Sequence, residues 1–188
     1  MSPSLLLLVY IFIPMFLSIV RIGLVYPILN NINNADYLEG LIFFAIASIT
    51  DALDGFLARR MSWQTDLGKI LDPVADKLLL SGSIFILWIN DLLPFYVFFI
   101  LLARDIIILL GASIHMTIIE TGTPLPNFAG KITTVLQVIY IILILIFKSL
   151  SLNFSLEWLG FIVSIFTLIS LYIYSQSWFR TLKKNHND

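Results

Sequence analysis

The sequence contains no cysteine, which excludes disulfides, thiolate metal sites and a cysteine nucleophile, and leaves the redox compartment open. Charge is almost as scarce. Of 188 residues only 12% are Asp, Glu, Lys or Arg, about half the share in an average soluble domain, while 59% are apolar. With mean hydropathy at +0.97, the chain has too little polar surface to coat itself in water, so its solvent is a lipid bilayer. A basic excess is also missing. Eleven Lys and Arg stand against twelve Asp and Glu, for a formal net charge of −1, and no positive field is available to grip nucleic acid. Nothing in the composition marks a linker, a low-complexity tract or an internal repeat, and a length of 188 residues is that of a single domain, 1–188.

What is present is a set of long uncharged runs, at 1–20, 22–35, 40–50, 78–90, 92–103, 106–119, 132–147 and 158–179. They are rich in Leu, Ile and Phe without strict alternation, and lipid tolerates only helices or closed barrels. The reading is therefore all-α: a polytopic membrane protein with six transmembrane helices near 14–32, 38–60, 72–90, 92–116, 128–148 and 155–180. Pro14 is expected to break or kink the first of these, leaving residues 4–13 as an N-terminal interfacial helix. Residues 5–13 lack the basic flank and cleavage site of a removable leader, so the opening stretch is read as mature protein. Arg59, Arg60 and Lys69 between the second and third spans, Lys131 before the fifth, and Arg180, Lys183 and Lys184 at the end outweigh Lys148 on the other face. That asymmetry puts both termini and the basic loops on the cytoplasmic side.

The scarce charge is concentrated. Residues 51–77 hold nine charged side chains, five of them carboxylates. Asp51, Asp54, Gly55 and Ala58 follow helical spacing on one face. Asp72 and Asp76 are again four apart, with Gly68 one turn earlier, and Pro73 suits the first turn of their helix. Two such helices packed across a short loop would bring four carboxylates together at a depth where ionised groups are costly. Like charges that close stay ionised only with a cation between them. Oxygen donors without His or Cys favour Mg²⁺ or Mn²⁺, and the number of carboxylates favours two divalent ions, the arrangement used in phosphoryl transfer. Gly55 and Ala58 allow a ligand to reach the backbone, and Arg59 offers a planar fork to a phosphate. The plainer alternative, helix-end aspartates paired with Arg59, Arg60, Lys69 and Lys77, explains single residues but not the joint spacing. A small cation transporter would spread its carboxylates along a pore on several helices rather than on two adjacent segments, and a non-catalytic scaffold would not need Asp76.

The pattern D-x-x-D-G-x-x-A-R, eight residues, then G-x-x-x-D-x-x-x-D, present as Asp51, Asp54, Gly55, Ala58, Arg59, Gly68, Asp72 and Asp76, resembles the signature of the CDP-alcohol phosphatidyltransferases. The resemblance implies a membrane enzyme that moves a phosphatidyl group from CDP-diacylglycerol to an alcohol and releases CMP. It implies that Asp51, Asp54, Asp72 and Asp76 hold two divalent ions, that Asp76 is also the general base, and that Asp54, Gly55, Ala58, Arg59 and Gly68 line the CDP pocket. It further implies a homodimer, and a bacterial inner membrane as the location. The stretch Ile13 to Arg21 resembles the P-N-x-L-T-x-x-R opening of the phosphatidylglycerophosphate synthase branch, with Met15 for Asn and Ser18 for Thr. Gly130 to Gln137 resembles that branch's G-K-x-K-T-x-x-Q, with Thr133 for the second Lys. Glycerol 3-phosphate is accordingly the first choice of acceptor. Ala103-Arg104-Asp105 resembles both that branch and the CMP-forming cardiolipin synthases, which makes phosphatidylglycerol the second choice.

Arg104 and Lys131, with Arg21, are candidates for binding the acceptor phosphate, because an intramembrane cation needs an anion. For Arg104 the alternative is an ion pair with Asp105. His115 and His186 have no metal-ligand partner at helical spacing. Trp158, Trp178, Tyr172 and Tyr174 suit interfacial belts or helix packing.

Overall fold

The computed structural model describes the backbone of residues 3–61, 66–118, 128–152 and 154–185, and the side chains of 18–51, 74–111, 128–152 and 154–178. Among them are six helices and no strands: α1 Pro3–Asn33, α2 Tyr37–Met61, α3 Asp66–Ile89, α4 Phe95–Ile118, α5 Phe128–Ser149 and α6 Glu157–Asn185. The expected all-α architecture is therefore present. Two helical stretches, Phe128–Ser149 and Glu157–Trp178, are long and apolar enough to cross a membrane, with only 33% and 28% of their most apolar windows buried inside the protein. A core helix of a water-soluble protein would be mostly covered.

Two expectations need correction. No separate helix precedes Pro14, because α1 runs unbroken from Pro3 to Asn33. Proline there forfeits one bond to the carbonyl four residues back, a loss that long apolar helices absorb. Pro73 is not in a first turn either. α3 begins at Asp66, so Asp72 and Pro73 lie well inside it.

Helix ends follow local chemistry. The Asp36 carbonyl accepts from Gly40 N–H at 3.0 Å, and Glu39 sits in the first turn of α2, where a negative charge suits the helix dipole. The Pro94 carbonyl starts α4 by accepting from Phe98 at 3.2 Å, and Ser155 Oγ accepts from the Glu157 N–H at the start of α6. Lys148 occupies the last turn of α5. Ala35, Asp91 and Ser151 adopt positive φ (64°, 56° and 52°) after α1, α3 and α5. At the first and last of these, paired bonds close the helix: Asp36 N–H to Asn31 O and Ala35 N–H to Ile32 O, then Leu152 N–H to Phe147 O and Ser151 N–H to Lys148 O.

The chain divides into two compact units: Met1–Asn90 with Ile141–Phe154, and Asp91–Tyr140 with Ser155–Asp188. In the first, α1 packs against α2 and α3. Each helix presents a buried stripe at helical spacing: Ser18, Arg21, Ile28 and Ile32 on α1, Gly40, Phe44 and Ala47 on α2, and Leu80, Ser83 and Leu87 on α3. Gly40 is required by close approach, since a Cβ there would lie 3.1 Å from Ile32 Cγ1. The outer faces are apolar as well: Leu38, Ile42, Ile46 and Ile49 form an exposed stripe along α2.

In the second unit α4 packs against α6, with Val97, Leu101, Tyr140 and Val163 buried between helices. A Cβ on Gly160 would come within 2.5 Å of Tyr140 Oη and 3.1 Å of Val97 Cγ2, so only glycine allows this crossing. Hydroxyls are turned inward, as on helices packed in lipid. Ser164 donates to Gly160 O, Thr167 to Val163 O and Thr133 to Ala129 O, while Phe161, Ile165, Leu168 and Tyr172 face outward.

Candidate active site

The buried stripes of the first unit run from apolar packing into charge. Arg21 lies seven residues before Ile28 on α1, and Asp51 lies four after Ala47 on α2. Asp76, next to the fully buried Ala75, lies four before Leu80 on α3. Those registers bring the three together. Arg21 Nη1 meets Asp51 Oδ1 at 2.6 Å and Asp76 Oδ1 at 2.5 Å. One nitrogen thus bridges two carboxylates from two helices.

Exposure differs sharply within the triad. The Arg21 side chain is 2% exposed, whereas those of Asp51 and Asp76 are 41% and 40% exposed. A desolvated guanidinium forms the inner wall, and the carboxylates open outward from it. Carboxylate oxygens from neighbouring helices are the kind of donor that a hard cation takes.

Of the other residues that the signature singles out, Asp54, Gly55, Ala58 and Arg59 lie on the helical backbone of α2, and Gly68 and Asp72 on that of α3. Their side chains lie outside the described residues. Among the described residues no group of three or more His, Cys, Asp or Glu side chains is placed to hold a metal ion.

The second unit contains the second buried arginine among the described residues. Arg104 Nη1 bonds Asp105 Oδ1 at 2.7 Å, and the two side chains are 5% and 3% exposed. The ion-pair alternative for Arg104 is thus present in the structure. Arg104 Nη2 also reaches Gly130 O at 3.5 Å, next in sequence to the exposed Lys131. Gln137, at the end of the Gly130–Gln137 segment, is fully buried with neither amide atom hydrogen-bonded, and Ser170, which sequence reasoning missed, is also buried. The signal was available as polar residues at spacings of three and four on α5 and α6, namely Gly130, Thr133 and Gln137, and Ser164, Thr167 and Ser170.

Comparison with known proteins decides the family. The profile of the CDP-alcohol phosphatidyltransferases matches residues 11–169. The chain belongs to the CDP-alcohol phosphatidyltransferase family. That match takes in segments of both compact units. Within the family, the chain is similar to the CDP-diacylglycerol–glycerol-3-phosphate 3-phosphatidyltransferase of Aquifex aeolicus, 32% identical over 168 residues that cover 88% of this chain and 91% of that protein. The protein of the same name from Bacillus subtilis is 34% identical over 148 residues, covering 76% and 75%. The CMP-forming cardiolipin synthase of Homo sapiens is 35% identical over 147 residues, but these cover 69% of this chain and 48% of that protein.

Proposed function

We propose that this chain is a membrane phosphatidyltransferase that moves the phosphatidyl group of CDP-diacylglycerol to glycerol 3-phosphate and releases CMP, a step of phospholipid synthesis. The observation that carries the reading is the convergence of Asp51 and Asp76, from separate helices, on one point. Relatives named for this reaction, matched over most of both chains, supply the substrates.

The donor set fits divalent metal. Two carboxylates converge while leaving part of each side chain open, and no softer ligand competes among them. Asp51, Asp54, Asp72 and Asp76 would hold two Mg²⁺ or Mn²⁺ ions, which when bound offset the charge of the diphosphate and of the leaving CMP. The remaining work falls to the protein. Asp76 accepts the proton of the acceptor hydroxyl as that oxygen bonds to the phosphorus bearing diacylglycerol. The bond from this phosphorus to the bridging oxygen breaks, and CMP leaves with the oxygen. Gly55, Ala58, Arg59 and Gly68, with Asp54, line the CDP pocket. Arg104 and Lys131, with Arg21, are the side chains for acceptor phosphate.

The lipid substrate sets the location. All six helices are read as spans and residues 1–188 as one domain, supported by apolar outward stripes on α2 and α6 and by a family match that runs through both units. Arg59, Arg60 and Lys69 on the helix ends that flank the α2–α3 connection, Lys131 in the first turn of α5, and the Lys and Arg at the C-terminus support a site open to the cytoplasm, in a bacterial inner membrane. A homodimer is the assembly that the family resemblance suggests.

A second reading, transfer to phosphatidylglycerol as in CMP-forming cardiolipin synthases, is favoured by Ala103-Arg104-Asp105 and by relatives of that name. It ranks lower because the match covers about half of those proteins. The test is purified protein in detergent or vesicles with CDP-diacylglycerol, Mn²⁺ and a panel of acceptors. CMP release with glycerol 3-phosphate and not with phosphatidylglycerol supports the first reading, the reverse supports the second, and no release with any alcohol overturns both.

A further inference from the structure

We infer that the seam between α5 and α6 holds one hydroxyl group, from an alcohol or from a water molecule, on the side-chain amide of Gln137. For the alcohol the inference rests on the acceptor reading above, and for water it stands without it.

The seam is fixed at two levels. Thr133 Oγ1 reaches Phe166 O at 3.5 Å, and a Cβ on Gly160 would come within 2.5 Å of Tyr140 Oη. The two helices therefore run antiparallel here. Gln137, four residues after Thr133 and three before Tyr140, shares the face that meets α6. That register puts it level with Val163, Ser164 and Thr167, all buried, and Gln137 is itself 0% exposed.

A primary amide brings two N–H donors and a carbonyl acceptor, and the seam does not match them. Ser164 donates to Gly160 O, Thr167 to Val163 O and Thr133 to Ala129 O. Each of these hydroxyl protons is committed to its own helix, so the three side chains have lone pairs to offer but no donor for Oε1. Neither Oε1 nor Nε2 of Gln137 has a hydrogen-bond partner within the protein. An amide left unpaired in a packed core is costly, whereas an apolar side chain of the same size would fill the position without that penalty. A hydroxyl supplies what the seam lacks, a proton for Oε1, and its oxygen can accept in turn. Long side chains on a helix lean toward its N-terminus, which directs this amide back toward Gly130 and Lys131, the end of α5 proposed above for the acceptor phosphate.

The experiment is solid-state NMR of the full chain in lipid bilayers with ¹⁵N in the glutamine side chains. Gln64, Gln137 and Gln176 give three amide signals, and that of Gln137 is the one lost in Gln137→Leu. Should that variant fail to fold, Gln64→Ala and Gln176→Ala remove the other two instead. A water hydroxyl gives magnetisation transfer from water to the Gln137 amide without added acceptor, and Gln137→Leu then leaves the KM for glycerol 3-phosphate unchanged. An acceptor hydroxyl gives a shift of the Gln137 signal with glycerol 3-phosphate but not with 3-hydroxypropyl phosphate, which lacks the middle hydroxyl. In that case Gln137→Leu should raise the KM for glycerol 3-phosphate roughly tenfold, the size of one hydrogen bond, with the KM for CDP-diacylglycerol unchanged. Neither transfer from water nor a shift with glycerol 3-phosphate overturns the site and leaves the proposed enzyme standing. Wild type that releases no CMP with glycerol 3-phosphate overturns the acceptor reading, and transfer from water then decides the site alone.

Discussion

The two buried arginines among the described residues are held in opposite ways. Arg104 is paired with its own sequence neighbour, and both side chains are sealed from solvent. Arg21 is equally buried, but its partners come from two other helices and are each about two-fifths exposed. A local, closed pair neutralises itself and requires nothing from outside. A long-range triad with half-exposed carboxylates presents its charge at the surface of the packed helices. In an apolar protein this distinction separates charge that serves packing from charge that serves chemistry more reliably than burial of the arginine does, because burial is the same in both.

The comparison can be tested most severely at Asp76. Asp76→Asn keeps the shape and a hydrogen-bonding oxygen but removes the base, and CMP release should fall by about 10²–10⁴-fold with the protein still folded by thermal melting. At the closed pair the effect should be on stability. Asp105→Ala strands a buried guanidinium and should cost about 3–5 kcal/mol, measured by unfolding in detergent, with Arg104→Ala on the same background recovering part of it. If Asp105→Ala instead unfolds normally and raises the KM for acceptor, the second region is a site like the first and the contrast collapses.

Smaller effects sharpen it. Gly160→Ala places a methyl against Tyr140 Oη and should destabilise by about 1–3 kcal/mol through overpacking, with Tyr140→Phe relieving part of the clash. A loss confined to melting temperature, with KM unchanged in the fraction that remains folded, marks this crossing as packing. Lys131 is exposed beside the Arg104 contact at Gly130. Lys131→Ala should leave melting unchanged and raise the KM for glycerol 3-phosphate by up to about fivefold, the size of one solvent-accessible charge contact.

Much of the helix plan was legible because charge is rare enough to act as punctuation. The uncharged runs fall mostly within helices, although Arg21 and Arg104 interrupt α1 and α4, and most of the 51–77 island is itself helical. The start of α4 shifted to Phe95 because Pro94 supplies the first carbonyl, a detail that hydropathy does not carry. The unbroken α1 was not legible, since the rule that proline ends helices is calibrated on water-exposed ones. At the site, helical spacing put Asp51 on a face of one helix and Asp76 on a face of the next, because helical periodicity is a local property, and the structure brings both to Arg21. Their common partner Arg21 was assigned to acceptor phosphate alone. Which face of α1 meets which turns of α2 and α3 depends on packing registers set by Gly40, Ile28 and Ile32, and no single-helix pattern contains that information. The Arg104 pair was easier, its partner being the next residue.

Arg21 is the only charged residue in α1, and α1 precedes α2 and α3 in the chain. In the membrane arrangement proposed here it must enter the bilayer before either of its partners has been synthesised, carrying an arginine whose insertion costs about 2.5–3.5 kcal/mol near a helix centre. The surrounding leucines and isoleucines can offset that penalty, but the helix has no counter-charge until α2 and then α3 arrive. The bridge that organises the site therefore also sets an order of assembly. A chain truncated or stalled before Asp76 leaves Arg21 without one of the two carboxylates that it bridges.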